Sequence, residues 1–398
     1  MDGSHARISR SPAMLVLSAG FRPFFLAASL WAAVAVALWV AVLQGGIELP
    51  TRFAPAAWHV HEMLFGFVLA GVAGFLLTAI PSWTGRRPVR GGRLAGLTLL
   101  WLLGRLATLV SALLPAWLAI AADLSFPVAL AAVVAWEIVR AGNWRNLGVV
   151  AAVGLFGVAD LLMSLEAADV TVPEGLGWRL GLAAPVILIP VIAGRITPAF
   201  TRNWLVSHGV RNLPARSDWL DRAALTVLPV ALLGWAVLPG LRPLGYLLIL
   251  AGLLHGLRLS RWRGLASRPE KLLLVLHLAY AWLVPGLVGL GLSLLLPAVP
   301  MPAALHALAA GAVATMILGV MTRVTLGHTG RILTASNATV AIYVLITLAA
   351  LLRVAAGLTA TARMPLLLLA AAAWIGAFGA FAIVYGRMLL APRADGRA

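Results

Sequence analysis

The sequence predicts an all-α polytopic membrane protein of about twelve transmembrane helices, and three observations predict it. Of 398 residues, 62% are hydrophobic and only 11% charged, more apolar surface than a water-soluble core can hide. The apolar runs are about 20 residues long, the length that crosses a bilayer, and clusters of Arg, Gly and Pro separate them. The loops between them alternate between arginine-rich and arginine-poor, the positive-inside pattern, which puts both termini in the cytoplasm.

The spans fall near 22–43, 58–80, 93–114, 116–139, 145–165, 177–197, 217–239, 241–260, 271–296, 303–323, 335–358 and 364–390. The first follows a polar segment bearing Arg7 and Arg10 and reads as a start-transfer anchor. The second opens on Trp58-His59-Val60-His61 and ends before Arg86, Arg87 and Arg90. Arg105 falls inside the third and must be paired or hydrated there, with Glu62, Asp123 and Asp160 as candidate partners. Arg140 and Arg145 flank the turn into the fifth span, and the acidic loop Glu166–Glu174 leads to the sixth. A connection at 198–216 joins two six-helix halves, 22–197 and 217–390, of a single integral-membrane domain spanning 1–398. The eighth span carries His255 near its basic end, where it reads as a solvated loop-edge residue, and the ninth carries His277 with Tyr280. The tenth opens at His306 and ends at Arg323 and His328, and the last two lead into a basic C-terminus.

A formal charge of +17, from 30 basic and 13 acidic residues, invites a nucleic-acid reading. The arginines, however, sit in short loops between apolar runs, so lipid headgroups are their partners and nucleic acid is not. There is no cysteine. Disulfides, thiolate-ligated haem, iron–sulfur clusters and cysteine zinc sites are therefore excluded, and any metal must use His, Met, Tyr or carboxylate.

The second and tenth spans follow one template. His61 is followed by Gly66, Gly74 and Thr84-Gly85, and His306 by Gly311, Gly319 and Thr329-Gly330. A titratable imidazole is costly in a bilayer, so each is a functional candidate. At 1.5 Å per residue, His306 stands about 25 Å from Arg323 and His61 about 30 Å from Pro81. Both histidines thus lie at the outer edge, and two at one depth point to a shared metal or cofactor. Interfacial histidines bonded to water are the bland alternative. His59 points about 200° away from His61 on a regular helix and joins that site only if it precedes the helix. Glu62 is placed to orient an imidazole or relay a proton. The small residues Gly66, Ala70 and Gly74, like Gly311, Thr315 and Gly319, let a second backbone or a flat macrocycle approach. His277 lies toward the basic side, roughly 20 Å from the outer histidines in depth, and His328 lies beyond Arg323 on that side; both belong to a second site or none. Arg195, Arg323 and Arg331, flanked by Thr, Gly and Asn, suit haem propionates or phosphates, or lipid headgroups.

At these residues the sequence resembles the NnrS family of bacterial membrane proteins. The stretches that carry the resemblance are Gly20-Phe-Arg-Pro-Phe-Phe25, Trp58 through Phe67, Gly74 through Gly85, Arg195 to Trp204, His277 to Trp282 and His306 through Arg331. The resemblance covers nearly the whole chain. It implies a bacterial inner (cytoplasmic) membrane, binding of b-type haem and of copper, and resistance to nitric oxide and nitrosative stress. On that basis the metal ligands are expected among His59, His61, His306, His277 and His328, with His61, His306 and Glu62 carrying the chemistry. Arg195, Arg323, Arg331 and Tyr280 are expected to hold the cofactor. The arrangement also invites comparison with haem–copper oxidases and nitric oxide reductases, whose second and tenth of twelve spans carry haem-ligating histidines. The sixth span here has no histidine, so the analogy is one of arrangement.

The function expected is binding of nitric oxide and its reduction or detoxification, with electrons from a donor the sequence does not identify. A twelve-span transporter of a small molecule or metal, with a polar site at Arg105 and Asp160, is the alternative. A non-catalytic sensor of nitric oxide or metal is a third.

Overall fold

The computed structural model describes residues 12–396; Arg7 and Arg10 lie outside the described residues. Twelve long helices follow a one-turn helix at Pro12–Val16, and no strand occurs among the described residues. They are α1 (Phe21–Leu43), α2 (Pro55–Thr84), α3 (Gly92–Leu109), α4 (Ala116–Arg140), α5 (Trp144–Ala167) and α6 (Leu176–Ser207). Then come α7 (Trp219–Val237), α8 (Pro243–Ser260), α9 (Lys271–Leu295), α10 (Met301–His328), α11 (Asn337–Leu358) and α12 (Arg363–Leu389). Eleven are long and apolar enough to cross a membrane. The other is α3, 18 residues long and bearing Arg93 and Arg105, which lower its hydropathy. It is nonetheless a full helix packed against α4.

The long helices α2, α6 and α10 form the centre. In their apolar windows 72% of residues are buried, against 28% for α1. Every fourth helix is thus central, a recurrence that relates α6 to the pair α2 and α10. Each of the three also changes its winding partway, to π-helix at Glu62–Val68, Ile189–Ala193 and Ala307–Ala314. Two of these segments begin immediately after His61 and His306, so the sequence template marks a shared change of winding. π-Turns are rare and concentrate at functional sites.

A π-turn loosens the carbonyl ladder, and in a bilayer a freed carbonyl needs a donor from the protein. Each segment has one. Trp101 Nε1 on α3 donates to Gly66 O at 2.9 Å, Arg258 on α8 to Pro190 O at 3.1 Å, and Thr315 Oγ1 to Ala310 O at 3.3 Å. The glycines inside two of these segments, Gly66 and Gly311, accept side chains. A methyl on Gly66 would strike Trp31 of α1, and one on Gly311 would strike Trp282 of α9. Gly71 packs on Ile317, joining α2 to α10, and Gly74 receives Phe25. At the template glycines the small-residue stripes therefore receive aromatic and aliphatic side chains, not a macrocycle.

Candidate functional site

The end of the bundle at which α2, α6, α10 and α12 begin holds two compartments side by side, separated by the winding of α2. Residues 59 and 61 point apart as a helix requires, and each enters a different compartment.

The first is a cavity of about 270 Å³ between the three central helices and α1, α11 and α12. Its walls are apolar apart from His59, His306 and Arg353, and carry Trp39, Trp178, Trp374 and the thioether of Met63. His59 stacks on Trp39 with ring centroids 4.2 Å apart, and its buried Nδ1 has no partner. His306 is oriented by its own helix: Nδ1 lies 2.8 Å from the Pro302 carbonyl. A carbonyl accepts only, so Nδ1 carries the proton and Nε2 keeps its lone pair. A smaller cavity of about 70 Å³ lies deeper between α2, α6 and α10, and Pro185 and Val313 line both.

The second compartment joins α2, α3, α4 and α5 and is sealed. His61, Glu62 and Asp160 are 0% exposed, Arg105 1% and Asp123 2%. Arg105 clamps Glu62 through one nitrogen (2.8 and 2.9 Å) and reaches Asp123 Oδ1 with the other (2.6 Å). Trp31 Nε1 adds a hydrogen bond to Glu62 Oε2 at 2.7 Å. The His61 ring spans the remaining acids, with Nδ1 3.1 Å from Glu62 Oε1 and Nε2 2.8 Å from Asp160 Oδ1. Asp123 Oδ2 is also only 3.0 Å from Nε2 but makes no aligned hydrogen bond. Phe53 and Phe65 cover the ring at 4.7 and 5.0 Å. Each polar residue sits within two turns of its helix end, so water is near yet shut out.

The structure thus separates the expected pair. His306 shares its cavity with His59, and His61, two positions on, faces the acids. Among the partners foreseen for Arg105, Glu62 and Asp123 contact it directly, and Asp160 completes the cluster through His61. Glu62 meets the imidazole as an orienting acceptor.

The residues toward the opposite end form a separate group, and none of them lines the larger cavity. Tyr280 OH bonds His255 Nδ1 (2.7 Å) and Arg258 (2.9 Å), and Arg258 pairs with Asp221 at 2.6 Å. His255, expected at a solvated loop edge, is instead fully buried, because α8 packs that face on α9. His277 Nε2 lies 2.9 Å from Thr201 Oγ1, whose own proton goes to Thr197 O. His277 therefore donates there, and its buried Nδ1 is left unpartnered. Arg195 reaches Asn146 (3.2 Å), Arg323 lies over the Phe200 ring (4.3 Å), and Arg331 reaches the Thr329 carbonyl (3.4 Å). His328 packs on Phe21 at 5.6 Å.

Sequence reasoning passed over Trp39, Met63 and Arg353 as cavity residues. For Arg353 there was a signal: an arginine three residues after the small-residue pair Ala349-Ala350, near the end of an apolar span on the arginine-poor side. For the others there was none.

A family model described as NnrS protein matches residues 15–393. No curated protein matches the chain.

Proposed function

The chain belongs to the NnrS family, and from that premise we propose that it is a haem-binding protein of the bacterial inner membrane that binds nitric oxide and reduces or detoxifies it. The observation that carries the reading is the cavity in which His59 and His306 meet. Its donor chemistry fits haem. Two imidazoles present nitrogens without protein partners, Arg353 offers a cation to a carboxylate, and tryptophans supply flat walls. The cavity, at about 270 Å³, falls just below the roughly 300 Å³ at which ligand-sized sites begin. Copper, the second cofactor expected of the family, finds its softest donors here too, since Met63 joins the two histidines.

A bound haem iron would supply the site at which nitric oxide binds and accepts electrons. The chain's own residues do the rest. Trp39 and the Pro302 carbonyl fix the two imidazoles. The apolar walls admit a small neutral molecule and exclude ions. The deeper cavity between α2, α6 and α10 is likewise lined by apolar residues and shares Pro185 and Val313 with the first. Electrons come from a donor outside this chain.

The transporter reading is less well supported. Arg105 and Asp160 are buried, at 1% and 0% exposed, and neither lines either of the two cavities described above.

The test is the visible spectrum of the full-length protein purified after haem-sufficient expression, before and after dithionite and nitric oxide. A Soret band that shifts with both reagents is expected, and His59→Ala and His306→Ala weaken or abolish it. No Soret band in the wild type overturns the proposal. A band lost in His61→Ala but retained in both other variants overturns the cavity assignment.

A further inference from the structure

Neutral imidazole cannot satisfy the contacts that surround His61. With its proton on Nδ1, His61 donates to Glu62 and turns a lone pair at Nε2 toward two carboxylate oxygens, 2.8 and 3.0 Å away. With the proton on Nε2, the lone pair at Nδ1 faces Glu62 Oε1 instead, acceptor against acceptor. The charges are also unbalanced. With all three carboxylates ionised and His61 neutral, Glu62, Asp123 and Asp160 would carry three negative charges against one positive on Arg105, leaving two uncompensated in a sealed, apolar environment. Buried charges are paired or coordinate metals. Asp123 Oδ2 and Asp160 Oδ2 are buried without a hydrogen-bond partner, so acceptor capacity is in surplus beside Nε2.

We propose that His61, Asp123 and Asp160 form a binding site for a divalent first-row cation, with Glu62 and Arg105 as positioning residues. Their ligand atoms all lie within 4.8 Å of one another. Octahedral metal–ligand bonds of about 2.1 Å, at right angles, place neighbouring ligand atoms about 3.0 Å apart. The separations around Nε2 match that spacing. A doubly charged ion brings the cluster to neutrality with the imidazole unprotonated. Glu62 then holds the Nδ1 proton, the carboxylate–histidine–metal arrangement that fixes the tautomer and the ring plane. Arg105 holds Glu62 and Asp123 in place and keeps one oxygen of Asp123 out of the coordination sphere. One imidazole and two carboxylates with no sulfur favour Mn2+, Fe2+ or Zn2+ over Cu+. This site is independent of the haem reading, because none of its three ligands lines the larger cavity.

The test uses full-length protein in detergent, stripped with chelator and titrated with Zn2+, Mn2+ or Co2+, bound metal being counted by elemental analysis. Stoichiometric uptake is expected, with Co2+ giving ligand-field bands of oxygen and nitrogen coordination. Asp160→Asn abolishes uptake, and Glu62→Gln weakens it about 10–100-fold. Both variants keep any Soret band, so the two proposals fail separately. Wild-type protein that takes up none of the three ions overturns the site, as does Asp160→Asn binding as tightly as wild type. Where Asp160→Asn does not fold, the wild-type cobalt spectrum decides: absent bands, or bands of sulfur coordination, refute it.

Discussion

Replacing Arg105 with methionine removes the one permanent cation from a cluster of three buried carboxylates. Its guanidinium makes three hydrogen bonds to Glu62 and Asp123, at 2.6 to 2.9 Å, while only 1% exposed. Deleting one partner of such a network costs about 3–5 kcal/mol, because the remaining charges stay desolvated. Methionine fills much of the same volume, so the loss is electrostatic rather than a cavity effect. The melting shift per kcal/mol falls with chain length and is about 2–4 °C at 150–250 residues. For this longer chain roughly half that applies, and Arg105→Met should lower the melting temperature by about 3–10 °C. Arg105→Lys keeps the charge but loses the fork whose two nitrogens reach Glu62 and Asp123 separately, and should fall between. The assay is thermal unfolding of purified protein in detergent, with Arg93→Met as control on an exposed position of the same helix. If Arg105→Met melts within about a degree of that control, the cluster is not held by its ion pairs and the reasoning fails.

Gly311→Ala places a methyl on the indole of Trp282 and should cost about 1–3 kcal/mol, read as a lower melting temperature, unless α9 shifts. Asp218 caps α7 and pairs with Arg261 at 2.6 Å, which holds its carboxyl down at about 2. A depressed value stabilises the fold above the ordinary carboxylate range, so the melting gap between wild type and Asp218→Asn should be constant near neutrality. It should close as pH falls from about 4 toward 2; a gap unchanged at acid pH would count against the pairing. The absence of cysteine gives a clean background for labelling. Single cysteines at Arg87 and Leu113 should react from opposite sides of the membrane if α3 crosses it, and from the same side if it does not.

The spans were legible because bilayer thickness dictates their length, and even α3, with two arginines, begins within a residue of expectation, although it ends at Leu109 rather than 114. What local pattern cannot specify is how each helix is rotated about its axis. The 200° between His59 and His61 foretells that the two face different neighbours, but only packing against α1 and α10 decides which one meets His306. Likewise Asp123 and Asp160 were visible as partners for a buried arginine, while the convergence of α2, α3, α4 and α5 on one imidazole was not. The π-turns escaped because they depend on distant donors: nothing near Gly66 or Pro190 announces Trp101 or Arg258.

Those loosened turns have a consequence for how the protein can vary. An α-helix transmits rotation: adding one residue turns everything beyond it by about 100°. A π-segment holds one residue more per turn and marks where such an insertion has been absorbed. On α2 and α10 it decouples the histidine-bearing end from the glycine-lined remainder. The end that meets the cavity can be re-aimed while the remainder stays docked in the centre of the bundle. Chemistry and scaffold are thereby placed on separate registers of one continuous helix.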